Sequence, residues 1–403
     1  MSPLLDDAPS LFPTLTAQID SRTARTELGA PYEILTGSFW TARQRQANAL
    51  HEVPYRACFK PQLPAYFIER FTRPGDLVLD PFMGRGTTAL EAAFADRVPC
   101  GGDLNPLSLC LVRPRLDPMP PEAVASALQQ VNLAKKRDDL DEDLLVFYHP
   151  RTLTALYNLR DLCAERADHD PLWDWIRMVT LTRLTGHSTG FLSVYTLPPN
   201  QAVSVSSQRR INKQRCQVPP DRPVLEILAR KSKALWRDLD ATSLRRLKDA
   251  RQRAQLWNGP ADLLPLKDNS VALTVTSPPF LDVVKYEDDN WLRAWFAKLP
   301  TKVPGFSLSR RTDDWSDQMR PVFQEIHRVL RPGGRCAFEI GEVGKGKILL
   351  EEAVIPLGEE VGLEIEALLL NEQRFTKTAH CWGVANGRKG TNTNRIVMLR
   401  KRD

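Results

Sequence analysis

Apolar positions along this chain follow two rhythms. Near both ends, short apolar runs bounded by turn residues alternate with helical stretches, whereas the middle carries helical periodicity alone. The pattern predicts a helix over 64–71, then the turn Arg73-Pro74-Gly75-Asp76 and a short buried strand, Leu77-Val78-Leu79, ending at Asp80. The glycine-containing stretch Met83-Gly84-Arg85-Gly86-Thr87-Thr88 opens a helix over 89–94, and a second strand over 98–102 closes on Asp103. Strand, glycine loop, helix, strand and acid make a βαβ nucleotide-binding unit. Upstream, residues 1–50 are polar and turn-rich, with an aromatic pair, Phe39 and Trp40, expected to dock on another surface.

From about Pro120 to Leu256 the helical rhythm is broken only by a proline- and serine-rich loop over 196–207. The α/β pattern resumes at Asp262 with a strand over 271–275 that runs into Thr276-Ser277-Pro278-Pro279-Phe280. A helix over 321–330, the turn Arg331-Pro332-Gly333-Gly334 and a strand over 335–340 follow, then two closing strands over 363–370 and 395–400 joined by a long loop containing Asn386-Gly387. The expected fold is α/β: a mostly parallel, Rossmann-like sheet with an antiparallel closing strand and a helical insertion domain. The expected divisions are 1–115 as the first half of the α/β domain, 116–256 as the insertion and 257–403 as its second half. No internal repeat is visible.

Composition narrows the class. With 403 residues, 42% hydrophobic and 26% charged, the chain can bury a sizeable core. Seven scattered cysteines without a CxxC pair read as reduced thiols and provide neither a disulfide framework nor a metal site. No signal peptide or apolar run of membrane-spanning length is present, so the cytoplasm is the expected compartment. A net charge of +6 permits a polyanionic partner without requiring one, but its distribution is uneven. Between Val205 and Leu256 stand 14 Lys or Arg against 5 Asp or Glu. Asn200, Gln201, Ser207, Gln208, Arg209, Arg210, Lys213 and Arg215 are the candidate contacts to nucleic acid: the cations suit phosphates, and Asn, Gln and Arg can read base edges. A solvated helical face is the alternative. His149 and His187 read as structural or loop histidines.

Two motifs carry chemistry. Across Asp80-Pro81-Phe82-Met83-Gly84-Arg85-Gly86-Thr87-Thr88, glycines let backbone amides approach a ligand at a helix N-terminus. No Lys precedes Thr87, which excludes a Walker loop. Asp103, about twenty residues on, is placed for ribose hydroxyls, so an adenosine-containing ligand is favoured over a mere tight turn. In the second motif, Pro278 and Pro279 fix the backbone and remove two donors. Ser277 and the neighbouring carbonyls remain as acceptors for an amine, and Phe280 offers a face on which a flipped base could stack. The bland alternative is a proline-terminated strand beside a core phenylalanine.

These stretches, with Gly101-Gly102-Asp103-Leu104-Asn105-Pro106, resemble motif I, the ribose-binding acid and motif IV of the DNA amino-methyltransferases. Ala57-Cys58-Phe59-Lys60-Pro61-Gln62-Leu63-Pro64 is similar to the family's motif X, and the segments Phe375-Thr376-Lys377-Thr378 and Thr391-Asn392-Thr393-Asn394-Arg395 look like those of bacterial members. The resemblance implies a class I methyltransferase sheet and S-adenosyl-L-methionine as cofactor. It assigns to the cofactor Phe59, Lys60 and Pro61 at its methionine end, Asp80, Pro81, Phe82, Gly84, Gly86, Thr87 and Thr88, then Asp103, Asn105 and Asp262. Ser277, Pro278, Pro279 and Phe280 become the catalytic set. It further implies direct in-line transfer to an exocyclic amine of a flipped base, with no metal and no covalent enzyme intermediate, so Cys100 is expected in the core. Serine at the head of the tetrapeptide favours cytosine, whereas motif I preceding motif IV fits that class less well and leaves adenine open. Duplex DNA is the implied substrate, with no membrane partner and room for a cognate restriction endonuclease as a functional partner, in a bacterial or phage-encoded setting. An RNA amino-methyltransferase and a non-catalytic DNA-binding protein are the other readings.

Overall fold

The computed structural model describes residues 11–15, 19–41, 47–56, 58–197, 202–279, 286–302, 311–340, 348–372 and 393–403. Phe280, Asn200, Gln201 and the whole segment 375–392 lie outside them.

Nine strands among the described residues form one mixed sheet. In chain order these are β1 (Asp20–Arg25), β2 (Pro31–Gly37), β3 (Leu77–Asp80), β4 (Val98–Asp103), β5 (Gln255–Asn258), β6 (Val271–Thr276), β7 (Leu330–Ile340), β8 (Leu363–Glu372) and β9 (Thr393–Lys401). Their order across the sheet is β1-β2-β8-β9-β7-β6-β3-β4-β5. The run β5-β4-β3-β6-β7 is parallel throughout, and β9 lies antiparallel between β7 and β8. This is the mostly parallel, Rossmann-like sheet with an antiparallel closing strand that the sequence predicts. Chain order reverses between β3 and β6, so a crevice opens beyond their carboxyl ends, where open α/β sheets bind ligands. The largely apolar strand β6 is buried at every position, Thr274 and Thr276 included, as befits a strand covered on both faces.

Three parts of the sheet go beyond the predicted strands. β1 and β2 pair antiparallel, and β2 extends the sheet in parallel from β8. β5 lies along β4 and closes the far edge, with Trp257 seated against Gly102 so tightly that a Cβ there would meet the indole at 2.3 Å. The surface on which Phe39 and Trp40 dock is the core itself: they are 2% and 4% exposed and pack against Tyr66 and Phe67.

Helices cover both faces. α1 (Gln62–Phe71) packs on one face, and α2 (Thr87–Phe94) links β3 to β4. α3 (Leu107–Val112) follows β4. The middle of the chain supplies α4 (Pro121–Gln129), α5 (Pro150–Arg166), α6 (Pro171–Leu181), α7 (Val205–Gln214), α8 (Val224–Trp236) and α9 (Ala241–Arg253). His149 caps α5, its Nδ1 accepting the Arg151 N–H at 3.2 Å, a structural role in keeping with the sequence reading. α10 (Tyr286–Ala297) and α11 (Thr312–Val329) lie between β6 and β7, and α12 (Glu351–Glu360) precedes β8. Trp315, Met319, Val322, Phe323 and Ile326 repeat at helical spacing on α11 and bury one face of it against the sheet.

Candidate functional site

The carboxyl end of β3 delivers Asp80, and the bend that follows is built from glycines in left-handed geometry. Gly84 sits at φ +51° and Gly86 at +75°, conformations that cost an L side chain about 1–2 kcal/mol. At Gly86 an added Cβ would also strike Val112 at 2.4 Å, so helix packing fixes this glycine as firmly as conformation does. Backbone bonds Gly86 N–H to Met83 O at 2.6 Å and Met83 N–H to Gly102 O at 2.9 Å pull the bend onto β4. Asp103 locks it from there, its Oδ2 accepting the Gly84 N–H at 2.7 Å and its Oδ1 the Asn105 N–H at 2.8 Å.

A cavity of about 190 Å³ opens over this bend. Of the residues assigned to cofactor from sequence, Phe59, Asp80, Pro81, Phe82, Gly84, Thr87, Asp103, Asn105 and Asp262 line it; Ser277 and Pro279 line it too. Both halves of the sequence-predicted site therefore face one space. Lys60, Pro61, Gly86, Thr88 and, of the catalytic set, Pro278 stand outside the lining: Pro61 is buried where α1 begins, Pro278 is buried, and the Thr88 hydroxyl donates to Val275 O at 3.1 Å. The lining residues that sequence reasoning missed include Tyr55, Met83, Leu104, Met319 and Val322. Tyr55 arrives from a loop and Met319 and Val322 from α11, more than 200 residues from the glycine bend in sequence, with no local signature.

Burial dominates the electrostatics. Asp80, 2% exposed, has its carboxyl pushed up to about 7 by loss of water, against hydrogen bonds from Thr276, Thr88 and the Phe82 N–H. The Thr276 hydroxyl donates to Asp80 Oδ1 at 2.6 Å and ties the end of β6 to the end of β3. Asp103 rises to about 6 through burial, opposed by the two amides that it accepts. Beyond Thr276, Ser277 hydrogen-bonds the Glu339 carboxyl on β7, which also accepts the Asn394 amide at 3.0 Å. Burial pushes the Glu339 carboxyl up, and these donors draw it back. Sequence reading named neither residue in that role. Cys100 is 1% exposed with its thiol pushed up to about 12 by burial, the core cysteine that was expected. Among the described residues no cluster of His, Cys, Asp and Glu is arranged for a metal, and no helix is long and apolar enough to cross a membrane.

Of the candidate nucleic-acid contacts, Ser207, Gln208, Arg209, Arg210 and Lys213 lie on α7 and Arg215 directly follows it, and none of these lines the cavity. Gln208 faces inward: fully buried, its Nε2 donates to Tyr195 O at 3.1 Å and to Asn212 Oδ1 at 2.7 Å, so it is a structural residue and no surface reader. The Ser207 hydroxyl lies 3.0 Å from that of Ser204, the N-cap of α7. Arg209 pairs with Asp143 at 2.6 Å, and Arg215 lies 3.8 Å over the Tyr195 ring. Arg210 and Lys213 are exposed.

Residues 16–106 match the family described as DNA methylase. The Type II methyltransferase M.MjaII of Methanocaldococcus jannaschii is 37% identical over 70 residues, a match that covers 17% of this chain and 13% of that relative. A TehB-like S-adenosylmethionine-dependent methyltransferase from Corynebacterium glutamicum is similar at 11% identity and TM-score 0.31, over 84% of this chain and 87% of that one. A methyltransferase of the same cofactor class from Methanosarcina mazei gives 11% identity and TM-score 0.32, over 83% and 97%.

Proposed function

We propose that this chain, whose residues 16–106 match the DNA methylase family, transfers the methyl group of S-adenosylmethionine to the exocyclic amine of cytosine in duplex DNA. The observation that carries the proposal is that Ser277 and Pro279 line the same cavity as Asp80, Gly84 and Asp103.

The cavity fits that cofactor. Asp103 has both oxygens oriented by backbone amides, leaving lone pairs for a ribose diol, and Phe82, Ala261, Met319 and Val322 offer apolar wall to a purine. When bound, the cofactor supplies an electrophilic methyl on a sulfonium. The chain's own work is to hold an amine so that its lone pair faces that methyl. An amine presents hydrogens, so the turn must present acceptors. Ser277 and the Pro278 carbonyl provide them, and neither proline offers a competing N–H. The Glu339 carboxyl takes the Ser277 hydroxyl hydrogen, which leaves the oxygen lone pairs of that serine free for the incoming amine. Acceptors fixed in advance favour the positive charge that develops on nitrogen.

Serine at the head of the turn supports cytosine, and the placing of the glycine bend ahead of it in the chain supports adenine as a second reading. One experiment separates them. The protein is incubated with isotope-labelled cofactor and genomic DNA, and the labelled nucleosides are identified by mass spectrometry. N4-methylcytosine is expected; N6-methyladenine would reverse the choice of base, and no labelled base would end the proposal. In the same assay Ser277→Ala is expected to lower transfer by roughly 100-fold or more while cofactor affinity stays unchanged; retained transfer would remove Ser277 from its role.

A further inference from the structure

The turn Ser277-Pro278-Pro279 leaves the sheet just where it must be most rigid. The β6–β7 register ends at Thr276 opposite Phe338, and the two prolines contribute no backbone donors of their own. Upstream the turn is anchored by the Thr276 hydroxyl on Asp80 and by Ser277 on Glu339. Proline rings fix φ at both following residues, and Pro279 also restricts ψ at Pro278, but ψ at Pro279 is left open, so without a second tether the Pro279 carbonyl could swing.

A second anchor holds the other end. Trp315, 3% exposed in the first turn of α11, donates its indole N–H to the Pro279 carbonyl at 3.0 Å. We propose that Trp315 is a positioning residue for methyl transfer: by holding the Pro279 carbonyl it fixes the acceptor turn between two tethers and sets its direction over the cavity. This inference rests on the reading of the turn given above and adds a residue that no motif names. The same face of α11 continues, one and two turns on, as Met319 and Val322, which line the cavity. Helix α11 thus joins the wall of the cofactor space to the turn that receives the base, and a shift of the helix would move both.

Trp315 touches neither reactant, so its loss should appear in turnover and leave ground-state binding alone. Two variants test this. Trp315→Phe keeps an aromatic ring and removes the donor; incorporation of 3-benzothienylalanine at position 315 keeps the bicyclic shape and replaces only the N–H by sulfur. Each is assayed for kcat and KM on duplex DNA, for cofactor affinity by calorimetry and for Tm. Both variants are expected to lose about 10- to 100-fold in kcat, the scale of a misplaced reacting group, with cofactor affinity and KM within about twofold of wild type. A benzothienylalanine protein as active as wild type would overturn the inference and leave the proposed function standing. A loss of cofactor affinity or Tm that accounts for the whole loss of activity would overturn it equally, by making Trp315 a packing residue. A wild-type protein that methylates no DNA would remove the reading on which the inference depends, and the inference with it.

Discussion

At the scale of single residues, the site is governed by carboxyl groups taken out of water. Asp80 has its carboxyl pushed up to about 7 chiefly by burial, so the folded chain keeps a proton there that the unfolded chain releases near its ordinary value of 3.8. Between those two values the native state binds more protons than the unfolded state, and stability from this group falls as pH rises, by up to about 1.4 kcal/mol per pH unit. Above the folded value the loss is complete and no further slope remains. Other groups titrate in the same range, among them His51, which burial drives the opposite way, so absolute stability is a poor readout. The difference between wild type and Asp80→Asn cancels them, because asparagine does not titrate and still accepts from Thr276. Urea midpoints at pH 5, 6, 7 and 8 should show the variant gaining on wild type up to about pH 7 and then holding level. A difference that stays flat across the window would show that Asp80 is already ionised in the folded chain. The sequence marks Asp80 through its motif but says nothing of this proton. Its environment includes Thr276, which closes on Asp80 from β6 almost 200 residues away, and no local spacing records that.

At the scale of elements, α7 shows how one helix can divide structural and binding roles between its faces. Its inward side is a polar clamp. Gln208, and Gln217 just beyond the helix end, both donate to Tyr195 O, at 3.1 and 3.0 Å, and Asn212 donates to Val146 O at 2.7 Å. The outward side carries Arg209, Arg210 and Lys213, of which Arg209 is already paired with Asp143. If the helix meets DNA, Arg210 and Lys213 meet phosphates with their full charge. Changing both to Ala is then expected to weaken binding and to flatten the slope of log K against log salt by about 2, one unit per phosphate contact. Arg209→Ala should change the slope less. Titrations at several salt concentrations decide the matter, and an unaltered slope in the double variant would take α7 out of the interface. The charge run of this helix is plain in the sequence; the face that each residue occupies is not, and Gln208 reads as a surface reader until its buried partners are seen. The strands divide in the same way. β3, β4 and β6 are legible because apolar runs between turn residues leave little else that they could be. β1 is exposed at nearly every position and has no apolar rhythm to read, and the first half of α11 is too polar to register before Trp315 and Met319 are seen to share a buried face.

At the scale of the whole molecule, the helical stretch 116–256 reads from sequence as an insertion with its own boundaries, but its packing argues for a shared core. Leu50, Val53 and Tyr55 from ahead of β3, Leu90 and Ala93 from α2 and Leu107 and Leu111 from α3 belong to the same buried cluster as the apolar residues of α4 to α9. Leu292 and Phe296 of α10, which follows the turn Ser277-Pro278-Pro279 in the chain, join it as well. The last strand of the stretch, β5, is an edge of the sheet itself, and Arg246 of α9 reaches back to Asp96 at 2.9 Å and to Phe94 O at 3.0 Å. A segment whose apolar face is completed by residues on both sides of it has too little core of its own to pay for ordering its chain. The excised fragment 116–256 is therefore expected to show no cooperative unfolding transition, and the intact chain to lose far-UV circular dichroism and tryptophan fluorescence together in one transition. A fragment with a sigmoidal melt of its own, or an intact chain whose two signals separate, would restore the independent domain. Coincident loss would mean that Tyr55 at the cavity and the helices behind it hold their places through the same packing, so substitutions deep among α4 to α9 reach the cavity by loosening the core that both share.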